Sequence, residues 1–371
     1  MTHRLNLIIC CIILSFFPGN SCIIAQILND PYTLNLIKSD IGKIYNLEFN
    51  NAEMICREIE LLYPDHPVNY LLRGIITYWK NYPLVSNSPA RQLFEENLNK
   101  CIEKSELKPY SADYEAESLL ADISARGLLL LFYADNDLIL NVIPLATRSF
   151  KYLMRSFDFV SSFNDFYYFT GTYNYYRDAY PRIHPVYKPF ASLFTRGDEI
   201  KGLNELTMSA EHSIFLRAES YSLLTWIYTG FENNYLQALK YSEKLTSVYP
   251  ENLFFRALHI KNLLLLNEFN EAEDIIKHSI QNSGNAYFDA QVMIFNGILQ
   301  EKKYKNLNAA KQFYEEGINA LSPFGDYGNE FCAYAYFGLS RICGYYGDNT
   351  CKRTYQRRGL DLAEFKKITF D

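Results

Sequence analysis

The sequence predicts an all-α fold, a solenoid of stacked helix pairs, and three observations carry that expectation. The first is internal similarity: FNNAEMI at 49–55 matches FNEAEDI at 269–275, and each follows an apolar stretch that reads as a preceding helix. The second is spacing, for Ala52 stands twelve residues before Pro64, Ala238 twelve before Pro250, and Ala238 and Ala272 lie 34 apart. The third is composition. With 31 Tyr and 26 Phe but only 13 Pro and 17 Gly in 371 residues, the chain is rich in bulky filler and poor in the turn residues an all-β fold would need. Hydrophobic residues at 49% against 21% charged exclude a disordered chain, and the length admits two ordinary domains or one long array.

Residues 1–26 hold one fixed positive charge, Arg4, then an apolar run from Leu5 to Phe17 and a small, polar stretch. That is the layout of a secretory signal peptide, with cleavage expected after Ala25 or Gln26. The run of about 13 residues falls short of the roughly 20 that cross a bilayer, which argues against a retained anchor. A competing reading makes Cys22 a lipidated N-terminal cysteine, with Ser21 before it in favour. Removing residues 1–26 leaves 35 basic and 42 acidic residues, a net charge of −7. A mildly acidic chain without a Lys/Arg-rich run is a poor partner for nucleic acid, and membrane contact is expected only through a lipidated Cys22 or an uncleaved signal.

Residues 27–110 contain the first helix pairs, with Ala52 and Ala90, 38 apart, as the small residues of their second helices. Residues 111–197 keep helical periodicity but lose the spacing. LLADISARGLLLLFY at 119–133 is apolar on most faces, as a buried helix is, and Pro144 starts or kinks the next helix. The prolines at 181, 185 and 189 are expected to prevent regular structure, leaving an irregular, aromatic connection of about 15 residues before Asp198. Residues 198–371 resume the pairs: Asp198 reads as an N-cap, and Gly202 with Ser209 and Ala310 with Gly317 repeat a spacing of seven. The anchors Gly202, Ala238, Ala272, Ala310 and Lys352 are spaced 36, 34, 38 and 42, and Lys352 stands where a small residue is expected. Five cysteines remain beyond the leader, Cys56, Cys101, Cys332, Cys343 and Cys351, without CxxC or zinc-ligand spacing. Cys343 and Cys351 flank the GYYGDNT turn, where a disulfide and buried free thiols both stay open.

These offsets resemble the tetratricopeptide repeat, a 34-residue helix–turn–helix unit with small residues where its helices cross and Pro after the second helix. Small residues let two helices approach closely, and Pro ends a helix because it lacks the N–H that continuation requires. Gly74, Gly297 and Gly338 stand where the first helix of such a unit is small. The resemblance covers residues 33–106 and 217–365 and implies a right-handed superhelix with a concave binding face. On that face it places Tyr78 and Trp79, residue types favoured as interface anchors. The stretch GTYNYYRDAYPRIHPVYKPF at 171–190 resembles segments of exported bacterial tetratricopeptide proteins, and is more distantly similar to eukaryotic members linked to inclusion-body clearance. Neither resemblance implies a reaction.

Catalytic spacings are missing: there is no HExxH, GxSxG, GxxxxGK[ST] or GxGxxG. His66, His184, His212, His259 and His278 form no i, i+4 pair, so no metal or other cofactor is expected. His66 reads as a solvated loop residue and His259 as a core histidine. The pairs Glu95-Glu96 and Glu315-Glu316 suit a solvated helix face, since neighbours on a helix point about 100° apart. The aromatic stretch Phe163 to Tyr187 reads first as core, and second as a surface where Tyr173, Tyr176, Arg177, His184 and Tyr187 offer stacking faces with polar tips. The expectation is therefore a non-catalytic scaffold that binds a protein or peptide, in the periplasm or at the outer membrane of a Gram-negative bacterium. A glycan-binding component of an outer-membrane uptake system and a hydrolase are its rivals.

Overall fold

The computed structural model describes residues 27–106, 112–191, 194–280 and 283–371. The leader, Arg4 and Cys22 lie outside them. Among the described residues all regular structure is helical, and no helix is long and apolar enough to cross a membrane. The helices are α1 (Pro31–Tyr45), α2 (Phe49–Leu62), α3 (Pro67–Lys80), α4 (Ala90–Ser105), α5 (Ala112–Asp135), α6 (Ile139–Ser156), α7 (Phe166–Ile183) and α8 (Glu199–His212). They continue as α9 (Arg217–Trp226), α10 (Tyr235–Val248), α11 (Leu253–Leu265), α12 (Phe269–Ile280), α13 (Ala286–Lys302), α14 (Leu307–Leu321), α15 (Asn329–Tyr345) and α16 (Asn349–Leu362). Each odd-numbered helix packs on the even-numbered one that follows it, so the chain is a helical-repeat solenoid.

Local chemistry sets the ends. Asp30, His66, Asp198, Asn234, Asn252, Asn285, Asn306 and Asp348 each accept a backbone N–H of the first turn of the helix they precede. Pro31 and Pro67 open α1 and α3, where a missing N–H costs nothing. Ala52, Ala238, Ala272 and Ala310, the small residues of the second helices, are fully buried. Tyr314 of α14 shows why glycine is needed opposite: a Cβ at Gly297 would stand 2.6 Å from its ring and one at Gly338 2.3 Å from it, so one tyrosine wedges between two first helices.

The middle of the chain departs from the sequence reading. Residues 166–183 form α7, and α7 packs against α8 across the 184–198 connection as a repeat unit of its own. Pro181 sits in the last turn, so the break it imposes coincides with the end of the helix. Beyond it come a 3₁₀ turn (Pro185–Tyr187) and a helical turn (Lys188–Ala191). The crossing sets backbone against backbone, unlike the other pairs discussed: a Cβ on Gly202 would lie 2.6 Å from the Tyr175 nitrogen, and one on Gly171 2.9 Å from the Leu206 nitrogen. Pro144 lies inside α6, which begins five residues earlier at Ile139. Ala90 is the first residue of α4 and only half-buried; Leu98, not Ala90, faces Gly74. Lys352 is exposed and lays its stem beside Gly344, while Gly359 makes the close contact, against Phe337. Cys343 and Cys351 are joined as a disulfide across the α15–α16 turn.

The first helix pairs also meet pairs from the second half of the chain. The Tyr45 hydroxyl at the end of α1 donates to Glu219 of α9 at 2.5 Å, and its carbonyl accepts from Asn252 before α11. Trp79 at the end of α3 packs edge-on against Phe255, with centroids 5.6 Å apart, and Tyr82 against Phe254 at 5.2 Å. The solenoid therefore closes on itself through an aromatic seam.

Candidate functional site: the inner face

The first helices of several pairs bury aromatic residues, and two segments pack against them. The seam just described is one. Its residual cavity, lined by Trp79, Tyr82, Phe254 and Tyr287 among others, measures about 30 Å³, room for water and not for a metabolite.

The second is the stretch after α16. Residues 363–371 run along the inner wall with Phe365, Ile368 and Phe370 buried and Glu364, Lys366 and Lys367 exposed. The Phe365 ring lies 4.9 Å from Trp226 and 5.2 Å from Phe231, and it covers Gly230, where a Cβ would come within 2.3 Å of it. Gly230 belongs to a π-turn (Ile227–Phe231) that widens the end of α9, a local irregularity that recurs at functional sites. Phe370 packs edge-on against Tyr334 of α15 at 4.9 Å. Arg341 of α15 donates to the Thr369 carbonyl, reaches the Asp371 carboxylate at 3.3 Å, and is held by both oxygens of Glu301 at 2.6 and 2.8 Å. Glu301 in turn accepts from the Tyr314 hydroxyl at 2.7 Å, so the guanidinium is fixed by a fork of hydrogen bonds.

Carboxylates lie within electrostatic reach of one another where this segment begins. Burial, with the nearby charges of Glu364 and Asp326, raises Asp135 to about 7. Glu364 has an exposed surface, yet partial desolvation and then the Glu330 charge raise it to about 7, opposed by Lys261. Lys261 is itself fully buried and paired with Glu330 at 3.1 Å.

The sequence-derived candidates fall on both sides of this picture. Tyr78 and Trp79 are buried, their ring faces taken by Phe94 and by Tyr45, Tyr82, Phe254 and Phe255, so neither offers a free anchor. The seam that consumes them joins residues some 170 positions apart, which no repeat spacing encodes. Tyr173 packs on Phe157 and donates to the Thr195 carbonyl at 2.7 Å. Arg177 bonds Asp178 and the Phe194 carbonyl. His184 lies 4.5 Å from the Tyr180 ring. The side chain of Tyr187 lies outside the described residues. Tyr176 alone reaches the ring cluster that seats Phe365: its ring meets Phe231 at 5.2 Å and Trp226 at 6.5 Å, and its hydroxyl is buried without a hydrogen-bond partner among the described residues.

His66 corrects the sequence reading most sharply. It is buried, its Nδ1 accepting from Val68 N–H and its Nε2 lying 3.1 Å from Glu117, whose other oxygen accepts from Leu28 N–H at 2.5 Å. Both ring nitrogens are engaged, so the pair ties α3 and α5 to residue 28 and has no free nitrogen for proton transfer. His259 is a core histidine as expected, bonded to Ser242 at 3.2 Å and lowered in pKa by burial. Among the described residues no group of three or more His, Cys, Asp or Glu is placed to hold a metal ion. Trp226, Phe231, Tyr334 and Arg341 were not singled out from sequence; each reads as ordinary helix filling until the 363–371 segment is seen lying on it. Compared with known proteins, the chain matches no family model and no curated protein.

Proposed function

We propose that this chain is a non-catalytic scaffold of the cell envelope that binds an extended protein or peptide segment on the inner wall of its helical solenoid. The observation that supports this most directly is that the helices already hold a non-helical segment of the chain, turned at Phe365–Ile368, through three apolar anchors and one fixed guanidinium. Stacked helix pairs present a continuous surface on which side chains vary without disturbing the core, which suits recognition more than chemistry. The small-residue spacings and the leader-like residues 1–26 support a tetratricopeptide-type unit in an exported protein of a Gram-negative bacterium.

A photo-crosslinking residue placed at Tyr176 on the inner wall, and separately at Leu61 on the outer face, tests the reading in the native cell. The inner position should capture a discrete partner that the outer position does not. Capture from Leu61 alone would sink it. The mature N-terminus, read by mass spectrometry, should begin just after Ala25 or Gln26.

A further inference from the structure

The helix α6 carries on its outer side residues that a solvated helix face keeps inside. Leu140, Ile143, Thr147, Lys151 and Arg155, three or four apart, form one outward stripe, and all are exposed. The first half of the stripe is aliphatic: Leu140 is 89% exposed and Ile143 62%, with Ile139 beside them at 51%. Leu131 of α5, 46% exposed one turn before that helix ends, lies at the same end of the α5–α6 hairpin. The second half is cationic, for Arg148, Lys151 and Arg155 are the charged residues of α6 and no acidic one stands among them. Arg155 is paired with Glu115, whereas Arg148 and Lys151 have no ion pair among the described residues. Asp137 and Asp158 lie beyond the two ends of the helix. On its inner side Val142, Leu145 and Leu153 pack against the core in the ordinary way.

What covers the aliphatic half is told by the cationic half. At about 1.5 Å per residue, Arg148 and Lys151 stand about 12 Å along the helix from Leu140 and Ile143. A matching surface must offer apolar contact at one point and negative charge about 12 Å away. An anionic bilayer offers both to a helix lying in its plane, acyl chains for the aliphatic side chains and phosphates for the cations on their long stems. A protein surface fits less well: interfaces are anchored by Tyr, Trp and Phe and are poor in Lys, and this stripe holds no aromatic ring. The helix is also exposed round more than half of its circumference, a ridge that can sink between headgroups and not a groove that seats a peptide. The chain as a whole has a net charge of −6, but headgroups respond to what lies within a screening length, and there α6 is positive. We propose that α6, with Leu131 beside it, docks the solenoid on a leaflet rich in anionic phospholipid, with Leu140 and Ile143 below the headgroups and Arg148 and Lys151 among the phosphates.

This contact needs neither residues 1–26 nor a lipid on Cys22, so the test uses the chain from Ile27 on, which holds every described residue. The protein is sedimented with vesicles of phosphatidylcholine alone or with a third of it replaced by phosphatidylglycerol. It should bind the anionic vesicles about tenfold more tightly or better, and the difference should shrink as salt rises. Arg148→Glu together with Lys151→Glu should abolish the difference, and Leu140→Ser together with Ile143→Ser should weaken binding about tenfold or more. All four residues are exposed, so the thermal midpoint of either variant should match the wild type and show that both still fold. The fluorescence of Leu140→Trp should be quenched by brominated acyl chains, and that of Leu61→Trp, at a position 84% exposed on α2, should not. The native Trp79 and Trp226 pack on other rings of the fold and set a common background. Equal binding to both vesicle types, binding unchanged by the Leu140 and Ile143 substitutions, or quenching at Leu61 in place of Leu140 overturns the proposal. So does a photo-crosslink from position 140 to a protein in the native cell without vesicle binding, which would assign the stripe to a protein partner.

Discussion

Asp40 is fully buried on α1, and neither carboxyl oxygen has a hydrogen-bond partner among the described residues. Burial raises it to about 8, and the neighbouring Cys56 thiol, pushed up to about 12 by its own burial and then by Asp40, gives it no compensating charge. A carboxyl whose folded pKa exceeds its unfolded value stabilises fully below about 3.9 and loses that contribution as pH rises through the folded value. In urea denaturation between pH 5 and 8, Asp40 should therefore contribute a fall in stability approaching about 1.4 kcal/mol per pH unit, added to the falls from Asp135 and Glu364. Asp40→Asn should flatten that slope, whereas parallel wild-type and variant curves would refute the assignment. Neither Asp40 nor His66 declares itself in the sequence, because burial of a polar residue depends on what later helices lay over it.

At the scale of the helix, the α7–α8 crossing sets backbone directly against backbone. Gly202→Ala forces a Cβ against the Tyr175 nitrogen and the Gly171 carbonyl, at 2.6 and 2.8 Å, and backbone atoms cannot swing aside as side chains do. It should cost about 1–3 kcal/mol. Gly127→Ala in α5, exposed and with nothing within 4 Å of the new Cβ, is the matching control and should be neutral or stabilising by about 0.5–1 kcal/mol. Thermal denaturation of both variants checks the contrast. The same crossing shows what the sequence could carry. Gly74, Gly297 and the alanines at 52, 238, 272 and 310 were legible because their partners lie within one short unit. Gly202 was legible too, as the small residue of a second helix, but its partner Gly171 was not, because the 184–198 connection stretches their separation to 31 residues and prolines that end α7 read as prolines that forbid it. The residues on α9 and α15 that hold the 363–371 segment were illegible for a different reason: what they hold is another part of the same chain.

Across the whole molecule, closure distinguishes this array from an open solenoid, in which each repeat touches only its neighbours. Trp79→Ala removes a ring shared by Tyr45, Tyr82, Phe254 and Phe255, and by the usual cost of truncating a buried aromatic it should destabilise by about 3–5 kcal/mol. If the seam holds the first pairs against the second half of the chain, small-angle X-ray scattering should also record a larger radius of gyration for the folded variant. An unchanged radius would mean that the other contacts, Tyr45 to Glu219 and Asn252 to Tyr45, suffice alone.

The seam also constrains how the chain is made. Trp79 meets Phe254 and Phe255, and Tyr82 meets Tyr287, so the first helix pairs have no counterpart for their aromatic ends while the intervening residues are still inside the ribosome. At about 5–20 residues per second, translation leaves that surface uncovered for roughly 10–40 s. A nascent chain arrested before residue 254 should accordingly bind chaperones through residues 45–82, and release them once the second half has emerged.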